Sequence, residues 1–91
     1  MPLFFFGQKQ MRIDKYLKTS RLIKRRTVAH EACMQERILL NGRPAKPGAD
    51  VKPGDRIDIC FGHSKLAVRV VSVPEHVSKE QAPQLYEILT D

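Results

Sequence analysis

A chain of 91 residues is a prior for one domain, because a second core within this length would be short of apolar surface. Its formal net charge of +6 is unevenly placed: residues 1–26 carry eight basic side chains and one acid, residues 75–91 one basic side chain and four acids. A basic pole of this kind selects polyanions as partners, either nucleic acid or an anionic membrane surface. No run approaches the roughly 20 apolar residues of a membrane span.

Along the chain, "MPLFFFGQKQ" has no periodicity and reads as an extension, residues 1–10, ahead of a single domain over 11–91. It lacks the basic n-region and small-residue cleavage site of a signal peptide, so a cytoplasmic location is the default. From Met11, the spacing of Ile13, Tyr16 and Leu17 predicts a short amphipathic helix, with Arg12, Lys15 and Lys18 on its polar side and Asp14 near its positive end. "TSRL" interrupts that pattern. A second helix is expected from about Lys24 to Gln35, with Val28, Ala29, Ala32 and Cys33 on its packing face.

Beyond it the period changes to two. "RILLNGRPAK" reads as a strand, an Asn-Gly turn and a return; two Pro-Gly turns bracket Val51. In "RIDICF", Ile57, Ile59 and Phe61 alternate inward while Asp58 faces water, and Asp55 completes the preceding turn. After a turn at "GHS", Leu66, Val68 and Val70 share one side of a further strand, with Val71 and Val73 following after a shift of phase. "SKEQAPQLYEIL" is expected to close the chain as a short helix capped by Ser78, which places Leu85, Ile88 and Leu89 on the body. The pattern is α+β.

Catalysis requires a nucleophile with its base, paired carboxylates, a phosphate-cradling Gly loop or a metal set, and the sequence offers none of these in recognisable form. His30-x-x-Cys33 and Cys60-x-x-His63 have half-site spacing for zinc, yet both cysteines fall in apolar stretches where free Cys behaves as a small buried hydrophobe. No metal or other cofactor is expected.

The basic residues have more to offer. Arg12, Lys15 and Lys18 flank the first helix, and Arg21, Lys24, Arg25 and Arg26 crowd the turn and the entrance to the second. Cations at a helix N-terminus oppose the positive end of its dipole, whereas the unpaired N–H groups there favour an anion. A phosphate relieves the conflict, and Arg binds it through a bidentate fork. Aromatic residues are few, and Tyr16 and Phe61 both read as core. Phosphate and shape recognition of a folded RNA is therefore favoured over base stacking along a single strand.

The stretches "RIDKYL", "SRLIKRR", "NGRPAK" and "VKPGD" resemble the S4 RNA-binding domain, and residues 11–91 as a whole are similar to the small stand-alone S4 proteins of the RqcP and heat-shock type. The resemblance implies the S4 (alpha-L) fold, in which two N-terminal helices pack on a small antiparallel sheet and the helix pair faces RNA. It implies an accessory factor of ribosome-associated quality control, without chemistry of its own. Such a factor binds rRNA and tRNA on obstructed large ribosomal subunits and assists C-terminal tailing of the stalled nascent chain beside a tailing factor. Arg12 and Arg26 are then the main RNA contacts, followed by Arg21, Lys24 and Arg25, with Lys15, Lys18, Arg43 and Lys46 as outer contacts. Glu36 departs from the pattern, standing where relatives carry Gly; a left-handed conformation there costs a non-Gly residue roughly 1 kcal/mol. Three other readings stay open: an assembly or heat-shock factor on large-subunit rRNA, a membrane-surface or protein-interaction module using "PLFFF", and a metal-dependent enzyme.

Overall fold

The change of hydrophobic period near residue 36 divides the chain into a helical front and a sheet. The computed structural model describes residues 10–74 and 77–89, so the expectation for the N-terminal extension, apart from Gln10, lies outside the described residues.

Met11 and Arg12 form strand β1, antiparallel to β4 (Asp50–Val51), and helix α1 spans Ile13–Thr19. The helix expected from Met11 begins at Ile13 because Arg12 is extended, at φ −59° and ψ 141°. The Ile13 and Asp14 N–H groups donate to the carbonyls of Ala49 (2.7 Å) and Pro47 (3.4 Å), which satisfies the helix entrance without a side-chain cap. Ile13, Tyr16 and Leu17 are fully buried, as their spacing required. Arg21 terminates the helix in a left-handed conformation, φ 64°, donating to the Lys18 carbonyl at 3.0 Å.

Helix α2 covers Arg26–Met34, shorter at both ends than expected, so that Lys24 and Arg25 precede it. Ala29 and Cys33 are buried and Ala32 half-buried, but Val28 is 50% exposed. The stripe is thus narrower than predicted, and its small residues permit close approach to α1. At the exit, the Glu36 N–H donates to the Cys33 carbonyl (3.0 Å) and the Arg37 N–H to that of Ala32 (2.9 Å), with Glu36 at φ 61°. This is the left-handed cap usually given to Gly, with the strain expected of a Glu.

Strands β2 (Ile38–Leu40), β3 (Arg43–Pro44), β5 (Arg56–Phe61), β6 (Ser64–Val70) and β7 (Tyr86–Leu89) make an antiparallel sheet in the order β3-β2-β5-β6-β7. Asn41 and Gly42, both at positive φ (53° and 87°), turn β2 into β3. The Asn41 side chain donates to Asp55 (3.3 Å) and accepts from the Arg56 N–H (2.9 Å), while Asp55 also accepts the Lys52 N–H (3.0 Å), as its turn role required. Ile57, Ile59, Val68 and Val70 enter the core. The common side expected for Val71 and Val73 is not kept: β6 ends at Val70, and beyond it Val71 is exposed while Val73 is buried.

Three further expectations in this half are corrected. Phe61 is 47% exposed, because it lies at the hairpin tip opposite Ser64, where the alternation has run past the core. Asp58 is buried instead of facing water: Arg56 (2.9 Å) and Lys65 (3.2 Å) pair with it, and their stems cover it. The closing helix is replaced by a 3-10 turn, Ala82–Leu85, followed by β7; Leu85 is buried, but strand pairing leaves Ile88 57% exposed. Ser78 still caps the turn before it, accepting the Gln81 N–H at 3.3 Å.

The Tyr16 hydroxyl donates to the Leu85 carbonyl at 2.7 Å, joining α1 to the C-terminal turn, and burial pushes its pKa well above the ordinary phenol value. That carbonyl also accepts the Val71 N–H at 2.8 Å, so Tyr16→Phe leaves no orphaned acceptor. The expected loss is about 1 kcal/mol, read from urea unfolding midpoints. Burial raises the Asp58 pKa, but the hydrogen bonds and charges of Arg56 and Lys65 outweigh it, so the carboxyl lies below its usual 3.8. Its stabilisation is complete above the unfolded value and is lost as pH falls through the lower folded one. Stability measured between pH 5 and pH 2 should therefore fall less in Asp58→Asn than in the parent.

Candidate nucleic-acid interface

Asp14 lies on the first turn of α1, and its side chain is only 3% exposed. Three cationic or ionisable groups face it: the Arg12 guanidinium at 3.2 Å from β1, that of Arg26 at 3.5 Å from the first residue of α2, and His30 Nδ1 at 3.9 Å one turn further on. Both arginine side chains remain about half exposed, at 51% and 48%. Each is oriented by the carboxylate while presenting its outer N–H groups to solvent. On its other side Arg12 rests against Gly48, where an added Cβ would stand 3.9 Å from the guanidinium carbon.

Arg26 also lines a cleft of about 750 Å³ between α1, the α1–α2 loop and the chain beyond β6. The cleft walls are Lys15, Lys18, Thr19, Arg21, Lys24, Arg26, Val77 and Lys79, so six of the eight described lining residues are basic and none is acidic. The left-handed Arg21 reverses the chain at the end of α1, and Ile23, 8% exposed, anchors the loop between its charged neighbours. Arg25 is the N-cap of α2, extended at φ −124° and ψ 137°; no side-chain cap bonds to this helix entrance, and no acid stands in its first turn. The entrance thus joins uncapped N–H groups to surrounding cations, the combination that attracts phosphate.

Of the residues singled out from sequence, Lys15, Lys18, Arg21, Lys24 and Arg26 meet in the cleft. Arg12 stands across Asp14 from Arg26, and Arg25 is exposed at the helix entrance. Arg43 and Lys46 are exposed on β3 and the following loop and do not line the cleft. Sequence reasoning missed Lys79 and the coordinating position of Asp14. Lys79 had no signal, being the one basic residue of an acidic segment. Asp14 had one: it is the only acid among the eight basic residues of positions 1–26.

Cys33 is buried beneath this surface; burial and then the charge of Asp14 push its thiol up to about 11, leaving it almost entirely protonated at neutral pH. Among the described residues no group of three His, Cys, Asp or Glu side chains is placed to hold a metal ion, and no helix is long and apolar enough to cross a membrane.

The S4 domain family model matches residues 11–57. The RQC P-site tRNA stabilizing factor of Halalkalibacterium halodurans is 54% identical over 78 residues, covering 86% of this chain and 89% of that protein. Its namesake from Bacillus subtilis strain 168 is 48% identical over 81 residues, 89% of this chain and 94% of that one. Among solved structures, trimeric Heat Shock Protein 15 of Vibrio cholerae superposes with a TM-score of 0.81 at 27% identity, covering 89% of this chain and 83% of its own. With helix pair, antiparallel sheet, motif residues and near full-length similarity in agreement, the chain belongs to the S4 domain family, alongside the RQC P-site tRNA stabilizing factors.

Proposed function

We propose that this chain is an RNA-binding accessory factor of ribosome-associated quality control, holding rRNA and tRNA together on obstructed large ribosomal subunits. The observation that carries this reading is the cleft in which six described cations converge beside an uncapped helix entrance, with Arg26 held at its edge by Asp14. Similarity of about half the residues to factors named for P-site tRNA stabilization supports tRNA as one of the RNAs. Arg12 and Arg26 act as the ordered phosphate forks, and Arg21, Lys24 and Arg25 as further phosphate contacts. Lys15, Lys18, Arg43 and Lys46 are outer contacts. The factor works in the cytoplasm by binding alone, and a nascent-chain-tailing factor on the same subunit performs the chemistry.

Binding to large subunits carrying P-site tRNA should weaken steeply with salt, with a log–log slope of magnitude about 3–5 for four to six neutralised phosphates. Arg12→Ala and Arg26→Ala should each lower affinity roughly tenfold or more with circular dichroism unchanged. Co-sedimentation of the double variant at the parent level would remove both residues from the site.

Asp14→Asn separates ordered forks from mere attraction. It makes the protein more positive, so attraction alone predicts tighter binding. Loss of guanidinium order predicts affinity about threefold to tenfold weaker, and that is the expected outcome of the same titration.

A further inference from the structure

The far wall of the cleft comes from a part of the chain that no motif marks. Val77 and Lys79 lie between β6 and the 3-10 turn, beyond the residues matched by the S4 family model. Val77 is half-buried and packs against the core. One residue on, the Ser78 carbonyl accepts the N–H groups of Gln81 (3.0 Å) and Ala82 (3.1 Å), closing a turn that contains Lys79. The backbone carrying Lys79 is therefore anchored on both sides.

The Lys79 side chain lines the cleft with Lys15, Lys18, Arg21, Lys24 and Arg26, and it makes no ion pair with any described residue. Segment 75–91 has four acids and this single lysine. Lys79 adds a sixth cation to a cleft whose described lining holds no acid, and the summed field there attracts an anion.

We propose that Lys79 is a backbone-phosphate contact for the bound RNA, gripping from the C-terminal half a strand that Arg21, Lys24 and Arg26 hold from the other side. This rests on the reading of the cleft as an RNA site and adds a contact from a separate segment, which makes the surface a two-sided clamp. An ammonium on a flexible stem is a point charge without a fork, so it takes a phosphate oxygen and contributes affinity independent of base sequence.

The test uses the full chain and purified large subunits carrying P-site tRNA, titrated by fluorescence anisotropy across a salt series. Lys79→Ala should weaken binding about threefold to tenfold and reduce the slope by about 1, whereas Lys79→Arg should bind as the parent does. Parent affinity and slope in Lys79→Ala, with Arg26→Ala weakened, would overturn this inference and leave the RNA site standing. Equal losses in Lys79→Ala and Lys79→Arg would also overturn it, since charge would not be the cause. If Arg26→Ala also binds like the parent, the reading of the cleft itself fails and takes the inference with it.

Discussion

Asp14 is a charge with almost no access to water, and such a group is tolerated only where cations or donors surround it. The partners come from both sides, Arg12 from β1 and Arg26 from α2, so one carboxylate sets where two guanidinium groups stand. The remaining architecture serves this arrangement. Pairing of β1 with β4 fixes Arg12, the carbonyls of Pro47 and Ala49 hold the entrance of α1, and the narrow Ala29–Cys33 stripe brings α2 close enough for Arg26 to reach. The arrangement also keeps both arginines half in solvent, which limits the cost of their desolvation and leaves N–H groups for an external oxyanion.

The cleft shows the reverse condition, an accumulation of like charge without a described acid in its walls. A small fold tolerates this because the lysine and arginine heads extend into water while buried neighbours, Leu17, Ser20 and Ile23, fix the backbone that carries them. Self-repulsion in the free protein and attraction for a polyanion have the same origin. The cations are supplied from defined positions: a helix terminus, a left-handed residue at Arg21 and a closed turn at Ser78.

Much of this was legible in the residues. The spacing of Ile13, Tyr16 and Leu17, the Asn-Gly turn and the alternation through Ile57 and Ile59 report local periodicity, and tertiary structure obeyed them. Failures occurred where periodicity continues past the edge of what covers it, at Val28 and Phe61, or where a long-range partner changes the meaning of a residue. Asp58 occupies an outward position in its strand, yet two cationic stems close over it. Leu85, Ile88 and Leu89 fit a helix as well as a strand, and the free edge of β6 decided between them. The cation cluster was visible as composition; its division into an Asp14-ordered pair and a cleft was not, because it depends on which segments meet in space.

The bond from Tyr16 to the Leu85 carbonyl makes the C-terminal segment a clasp on the helix that carries the front of the basic surface. A chain cut after β6 would retain every residue that the S4 family model matches, along with the whole Asp14 cluster. It would nevertheless lose the edge strand, the clasp and one wall of the cleft together. The smallest unit that preserves this surface is accordingly larger than the motif that identifies it.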